Sequence, residues 1–291
     1  MLELELNRIT MQYKNKKAVD EVTYTFHNGV YGLLGANGAG KTTLMRMICN
    51  ILYPTSGEVL CGGVPVAKLG GNYRRLLGYL PQDFGFYPDF TARRYMMYLA
   101  ELKAVPGTQA AARVEELLTL TGLSDAAGQK IRTFSGGMVR RLGIAQAMLN
   151  DPDILILDEP TSGLDPRERI RFRNIISSFA RNRIVILSTH IVSDVEYIAD
   201  EILLLKSGRL IEHGTPEAVR DSVSGKVWEC TMPQEQADRF MDSFAVSNRK
   251  NVEAGRVRLR IVSDERPVEQ AVPSEPGLED VYLYYFSEER K

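Results

Sequence analysis

GANGAGKTT, residues 35 to 43, stands between the apolar tract Tyr31 to Leu34 and a stretch with the apolar spacing of a helix. The pattern is glycine, any four residues, glycine, lysine and a hydroxyl residue, set where a strand hands over to a helix. Glycines at 35, 38 and 40 let the backbone wrap closely and turn its N–H groups inward. The positive end of the following helix favours an anion, so phosphate oxygens fit the cradle formed by Gly35, Ala36, Asn37, Gly38, Ala39 and Gly40. Lys41 is placed to neutralise charge between β and γ phosphates. The hydroxyl of Thr42 is placed to sit on Mg²⁺, with Thr43 beside it at the helix start.

Two further runs, Ile154 to Leu157 and Ile184 to Leu187, are short and fully aliphatic, each followed by a polar turn and a helical stretch. Such runs mark strands buried on both faces, so the main body is expected to be an α/β fold on a parallel sheet. The first of them, in ILILDEP (154–160), delivers Asp158 and Glu159 at the carboxyl end of its strand, the edge where open α/β sheets place ligands. A strand that ends in acids is by itself only a solvated loop. Beside a phosphate loop it predicts a reaction centre: Asp158 holds Mg²⁺ through water, and Glu159 polarises the water that attacks the γ phosphate. Consecutive strand residues point to opposite sides, which favours two roles over one.

Residues 2–9 and 21–26 alternate apolar with polar and read as half-buried strands. Residues 91–121 hold two helix-period stretches separated by Val105, Pro106 and Gly107, with no strand candidate, which predicts an all-helical insertion. From about residue 220 the pattern changes to a small α+β tail. Its strands are expected at Val227 to Met232 and Val257 to Val262, its helices at 234–245 and 278–286. No internal repeat is present.

With 44% apolar residues the chain can fill a large core, and 36 basic against 37 acidic residues leave a formal charge of -1. That balance excludes a general electrostatic pull toward nucleic acid or anionic lipid, and no nucleic-acid partner is expected. Cys49, Cys61 and Cys230 form neither a CxxC pair nor a zinc-like cluster and read as reduced thiols. The start MLELELNRI lacks the basic and apolar regions of a secretory signal. The longest aliphatic runs, such as Ile202 to Leu205, fall far short of the ~18 residues that cross a bilayer, so a soluble chain is expected.

FSGGM, residues 134 to 138, opens another helix with glycines and makes a second anion nest. Two phosphate-binding elements in one chain imply either two ligands or one ligand shared between subunits. Here the sequence resembles the ATP-binding subunits of ABC transporters, whose signature LSGGQ engages the γ phosphate held on the partner subunit. The resemblance covers roughly residues 3–217. It implies a P-loop NTPase (RecA-like) core with an N-terminal antiparallel β-subdomain and an inserted helical subdomain. The division it suggests is a cassette over 1–220, with the insertion at about 85–150, and an accessory domain over 221–291.

By the same resemblance Tyr13 falls at the aromatic position that stacks on adenine. Gln82, in YLPQDFGF, matches the loop linking nucleotide to transporter and lies near Mg²⁺. Asp165, in SGLD, matches the loop crossing the dimer interface, and His190, in LSTH, matches the switch histidine that contacts the γ phosphate. Each position has a plainer reading. Tyr13 is also an ordinary turn aromatic, Gln82 a surface amide and His190 a structural histidine after a strand, while Asp165 before Pro166 makes a good N-cap.

Phe134 and Met138 depart from LSGGQ, but Ser135, Gly136 and Gly137, which resemble its phosphate-contacting core, are intact. SGGM followed by Arg140 and Arg141 resembles the ATPases of drug and antimicrobial-peptide exporters, as does the closing LEDVYLYYF (278–286). The expectation is an ATPase using ATP and Mg²⁺. Two copies, or this chain and a related one, close head to tail around two ATP molecules and drive a separate transmembrane permease from the inner face of the cell membrane. Phe84, Phe86, Tyr87, Phe90, Tyr95 and Tyr98 either receive a short permease helix or pack the insertion. The competing class, a soluble ABC-type ATPase on a non-membrane partner, usually carries tandem cassettes or a long coiled coil, and this chain has neither.

Overall fold

The computed structural model describes residues 2–252 and 255–287. The chain divides into two compact units, Met1–Ile211 and Glu212–Lys291.

In the first unit, β1 (Leu4–Tyr13) and β2 (Lys16–Phe26) form an antiparallel hairpin with Leu4 opposite Phe26. After β3 (Gly29–Leu34) and α1 (Lys41–Ile48), β4 (Ser56–Cys61) and β5 (Val64–Pro65) complete a four-stranded sheet in the order β2-β1-β4-β5. This is the antiparallel subdomain that the resemblance implies. Two short helices, α2 (Val66–Leu69) and α3 (Gly71–Leu76), lead into β6 (Leu77–Leu80).

The insertion follows as α4 (Ala92–Leu102), α5 (Gly107–Leu120) and α6 (Gly136–Ala147). Thr91 caps α4 by accepting from the Arg94 N–H, and Ala110, Val114, Leu117 and Leu118 give α5 its buried stripe. The chain then alternates strand and helix: β7 (Ile154–Asp158), α7 (Pro166–Phe179), β8 (Ile184–Thr189), α8 (Val192–Glu196), β9 (Glu201–Lys206) and β10 (Arg209–Gly214).

The central sheet runs β10-β9-β3-β8-β7-β6, with β9, β3, β8, β7 and β6 in one parallel ladder. Ile154, Leu155, Ile156 and Leu157 are fully buried, as are Ile184, Val185 and Leu187, which is why these runs carry no alternation. Strand order steps outward from β3 to β8 on one side and to β9 on the other. The carboxyl ends of β3 and β7 therefore open on the same edge.

The tail unit contains α9 (Pro216–Asp221), β11 (Val227–Pro233), α10 (Gln234–Ser243), β12 (Ala245–Asn251), β13 (Arg256–Val262), β14 (Val272–Pro273) and α11 (Leu278–Phe286). Its sheet runs β12-β13-β11-β14 over a core that includes Cys230, Met232, Leu259 and Ile261. The division falls earlier than the expected 220/221 boundary because α9 packs on α11, and Tyr285 Oη meets Ser222 Oγ at 3.3 Å. The helix expected over 234–245 stops at Ser243, and an unforeseen strand, β12, takes its last residue.

Among the described residues no helix is long and apolar enough to cross a membrane. The three cysteines are free and buried, and burial raises the pKa of each thiol.

Candidate functional site

The loop between β3 and α1 turns on glycine. Gly40 caps α1 at φ 107, and a Cβ built on it would lie 2.2 Å from the Ala18 carbonyl oxygen. Gly35 has no room either, since its Cβ would come within 2.4 Å of the Leu205 carbonyl oxygen. The loop can take this path only without side chains at these two points. Lys41 folds back over it, donating from Nζ to the carbonyl oxygens of Gly35 at 2.7 Å and Ala36 at 3.3 Å. Burial pushes the Lys41 ammonium below the usual lysine range, against the pull of the Glu159 and Asp158 carboxylates.

A cleft of about 480 Å³ is lined by Tyr13, Lys16, Ala18, Asn37, Gly38, Gly40, Lys41, Thr42, Thr43, Gln82 and Glu159. Residues far apart in sequence therefore meet on one wall. Tyr13, at the end of β1, is 47% exposed and lines this cleft. A larger cleft of about 570 Å³, between the α4–α5 turn and residues 149–151, contains neither member of the Asp158 and Glu159 pair.

At the end of β7 the two carboxylates do diverge. Asp158 is fully buried and accepts from the Ser188 hydroxyl at 2.6 Å through Oδ1, while its Oδ2 has no hydrogen-bond partner. Glu159 adopts a left-handed backbone at φ 49, its N–H donates to Ser188 Oγ at 2.9 Å, and its Oε1 lies 3.8 Å from Lys41 Nζ. Its other oxygen, Oε2, is 2.9 Å from His190 Nδ1. An ionised carboxylate only accepts, so Nδ1 carries the proton of that bond and the ring directs Nε2 elsewhere.

The FSGGM segment stands apart from this cleft. Ser135 caps α6 by accepting from the Met138 N–H at 3.2 Å, with Gly136 and Gly137 in the first turn. Asp165 caps α7 in the same manner, accepting from the Glu168 N–H at 2.9 Å. None of Ser135, Gly136, Gly137 or Asp165 lines the cleft that holds Lys41.

Sequence reasoning did not single out Ser188 as a site residue. Its signal was the first of two hydroxyl residues, Ser188 and Thr189, at the end of an otherwise aliphatic strand just before His190. The contacts of Arg140, which go to backbone carbonyls, carry no sequence signal at all.

Residues 19–162 match the family model described as ABC transporter. The chain is 32% identical over 292 residues to the Nod factor export ATP-binding protein I of Burkholderia orbicola (strain AU 1054), covering 96% of this chain and 95% of that protein. Among solved structures, an ATP-binding subunit of an ABC transporter superposes with a TM-score of 0.69 at 27% identity, over 75% of this chain and 92% of that one. A dimeric ATP-binding cassette in a post-hydrolysis state, bound to ADP and Pi, gives 0.67 at 25% identity, over 73% and 98%.

Proposed function

The chain belongs to the ATP-binding subunits of ABC transporters and hydrolyses ATP to power transport, and from that premise we propose how its residues divide the work. The reading is carried by one observation: Glu159 lies between Lys41 and His190, with its carboxylate on the wall of the cleft formed by the phosphate loop. Loop N–H groups and Lys41 hold the β and γ phosphates, and Tyr13 stacks on adenine. Glu159 accepts a proton from the attacking water as the bond to the γ phosphorus forms and the bond to the β–γ bridging oxygen breaks. His190 keeps Glu159 oriented through Nδ1 and presents Nε2 to the γ phosphate.

Mg²⁺ fits the oxygens present. Asp158 offers Oδ2, a buried oxygen that no protein group satisfies, and the cleft adds the Thr42 hydroxyl and the Gln82 amide. No group of three or more His, Cys, Asp or Glu that could hold a metal forms among the described residues. A cation held here would take its remaining ligands from phosphate and water, as Mg²⁺ commonly does. Bound there, it would neutralise charge developing on the phosphates.

Because Ser135, Gly136, Gly137 and Asp165 stand away from the cleft, each ATP is completed by the FSGG turn and Asp165 of a second cassette, closing head to tail. The dimeric ADP- and Pi-bound cassette supports pairing of two such chains. ATP favours the closed pair because it alone carries the γ phosphate both halves hold, and hydrolysis releases it. The cassette sits on the inner face of the cell membrane through a separate permease. Tyr87, 50% exposed against Phe90, offers that partner an aromatic surface, whereas the buried Tyr95 serves the insertion core. Export is the direction supported by the name of the Burkholderia relative and by SGGM with its paired arginines.

The test is Glu159→Gln. The variant binds ATP with unchanged affinity, loses turnover, and elutes as a dimer with saturating ATP and Mg²⁺. Sustained phosphate release by the purified variant would remove Glu159 from the catalytic role.

A further inference from the structure

Arg140 lies on α6, one turn beyond the Ser135 cap, and is only 9% exposed. Its guanidinium is held by backbone carbonyls of two other segments. Nε donates to Pro160 O at 3.1 Å, and Nη1 to Gln82 O at 2.9 Å and Pro81 O at 3.5 Å. Nη2 donates to Asp158 O at 3.1 Å and to Glu159 O. A guanidinium has five N–H donors in a rigid planar fork, so this one has no donor to spare. Burial pushes its pKa down, with Asp158, Glu159 and Asp83 pulling it up.

The acceptors matter more than their number. Pro81 and Gln82 belong to the loop after β6, while Asp158, Glu159 and Pro160 form the turn after β7. Successive carbonyls of an extended strand point to opposite sides, so three in a row reach one cation only if the chain turns among them. Glu159 makes that turn with its left-handed backbone, a conformation that bulky L residues seldom adopt. The guanidinium is thus the plug around which the catalytic turn is shaped. An apolar side chain of the same size would avoid the cost of burying a cation but would grip neither segment.

We propose that Arg140 is a positioning residue for hydrolysis. It ties the Gln82 loop and the Glu159 turn to the helix that begins with the FSGG nest. A helix transmits displacement along its axis, so a shift of Ser135, Gly136 and Gly137 on engaging a partner's γ phosphate is passed one turn onward to the chain's own catalytic carboxylate. Occupancy of one composite site thereby sets the geometry of the other.

The inference rests on the assignment of Glu159, and Arg140→Lys tests it in the full-length chain, with Arg140→Gln alongside. Lysine keeps the charge but has one nitrogen, which cannot span both segments. In both variants kcat for ATP hydrolysis falls roughly 30- to 100-fold, as expected for a catalytic group displaced by about 1 Å. KM stays within about two-fold, and cooperative unfolding is retained by the lysine variant. A kcat for Arg140→Lys within about three-fold of the parent overturns the proposal, as does a rise in KM that accounts for the loss. Loss of the cooperative transition in Arg140→Lys assigns the residue to folding instead and equally overturns it. Should Glu159→Gln still turn over, the catalytic assignment fails; should it not, while Arg140→Lys works normally, only the positioning role fails.

Discussion

Ser188→Ala removes one oxygen that holds both Asp158 and Glu159 at once. In the parent the buried Ser188 hydroxyl donates to Asp158 Oδ1 at 2.6 Å and accepts from the Glu159 N–H at 2.9 Å. A hydrogen bond to a charged group contributes about 1.5–3 kcal/mol, and a buried N–H left without an acceptor costs about 1–3 kcal/mol. Taking the lower part of each range gives a loss of about 3 kcal/mol, a fall of roughly 6–12 °C in melting temperature for a unit of this size. Turnover should fall at the same time by roughly 10- to 100-fold, because Glu159 loses the anchor of its backbone. The single tryptophan, Trp228, lies in β11 of the tail, so its fluorescence follows that unit and not this site. Far-UV circular dichroism is the suitable probe, paired with steady-state phosphate release. Ser188→Cys, which retains a weak donor, recovers part of both losses. A Ser188→Ala protein that melts within about 0.5 kcal/mol of the parent and keeps its kcat would refute the reasoning, since neither bond could then be contributing as the geometry requires.

Gly40→Ala drives a methyl group to 2.2 Å from the Ala18 carbonyl oxygen at a backbone φ of 107, so the phosphate loop has to open. Affinity for ATP is expected to fall by at least about 100-fold, roughly 3 kcal/mol, by titration calorimetry, and a parental dissociation constant would contradict the assigned loop path. Burial lowers the Lys103 pKa to about 8, and its hydrogen-bonding partner is the neutral Asn150 side chain at 2.8 Å. The folded value lies below that of an unfolded lysine, about 10.4, so the folded state binds fewer protons between the two. Stability therefore rises as pH climbs from about 8 toward 10. Lys103→Met should be more stable than the parent at pH 7 by about 1 kcal/mol and lose that advantage near pH 10; a urea midpoint at or below the parent's at pH 7 would speak against it.

The parts of the fold legible in the sequence are those whose burial is uniform or strictly periodic. Ile154–Leu157 and Ile184–Leu187 are buried on both faces and read as continuous aliphatic runs, and β11, β13 and α11 of the tail keep clear patterns. β12 was hidden because its residues, AVSNRKN, pass from half-buried to exposed along the strand and carry no alternation. Its assignment comes from antiparallel pairing with the next strand, β13, which the pattern of a single strand does not record. The candidate site divides in the same way. Lys41, Asp158 and Glu159 were visible because their side chains carry charge at recognisable spacing, whereas His190 was reached only through the resemblance carried by LSTH. Arg140 was visible only as half of an arginine pair, since the groups it binds are peptide carbonyls, which every residue possesses.

The sealed thiols have a practical side. Cys49 caps the far end of α1, the helix that begins at the phosphate loop, and its sulfur is buried and its pKa raised, as are those of Cys61 and Cys230. Alkylating reagents attack thiolates, and here there is neither exposure nor ionisation to offer them one. A spin label or fluorophore can therefore be directed to an introduced surface cysteine without first stripping out the native three.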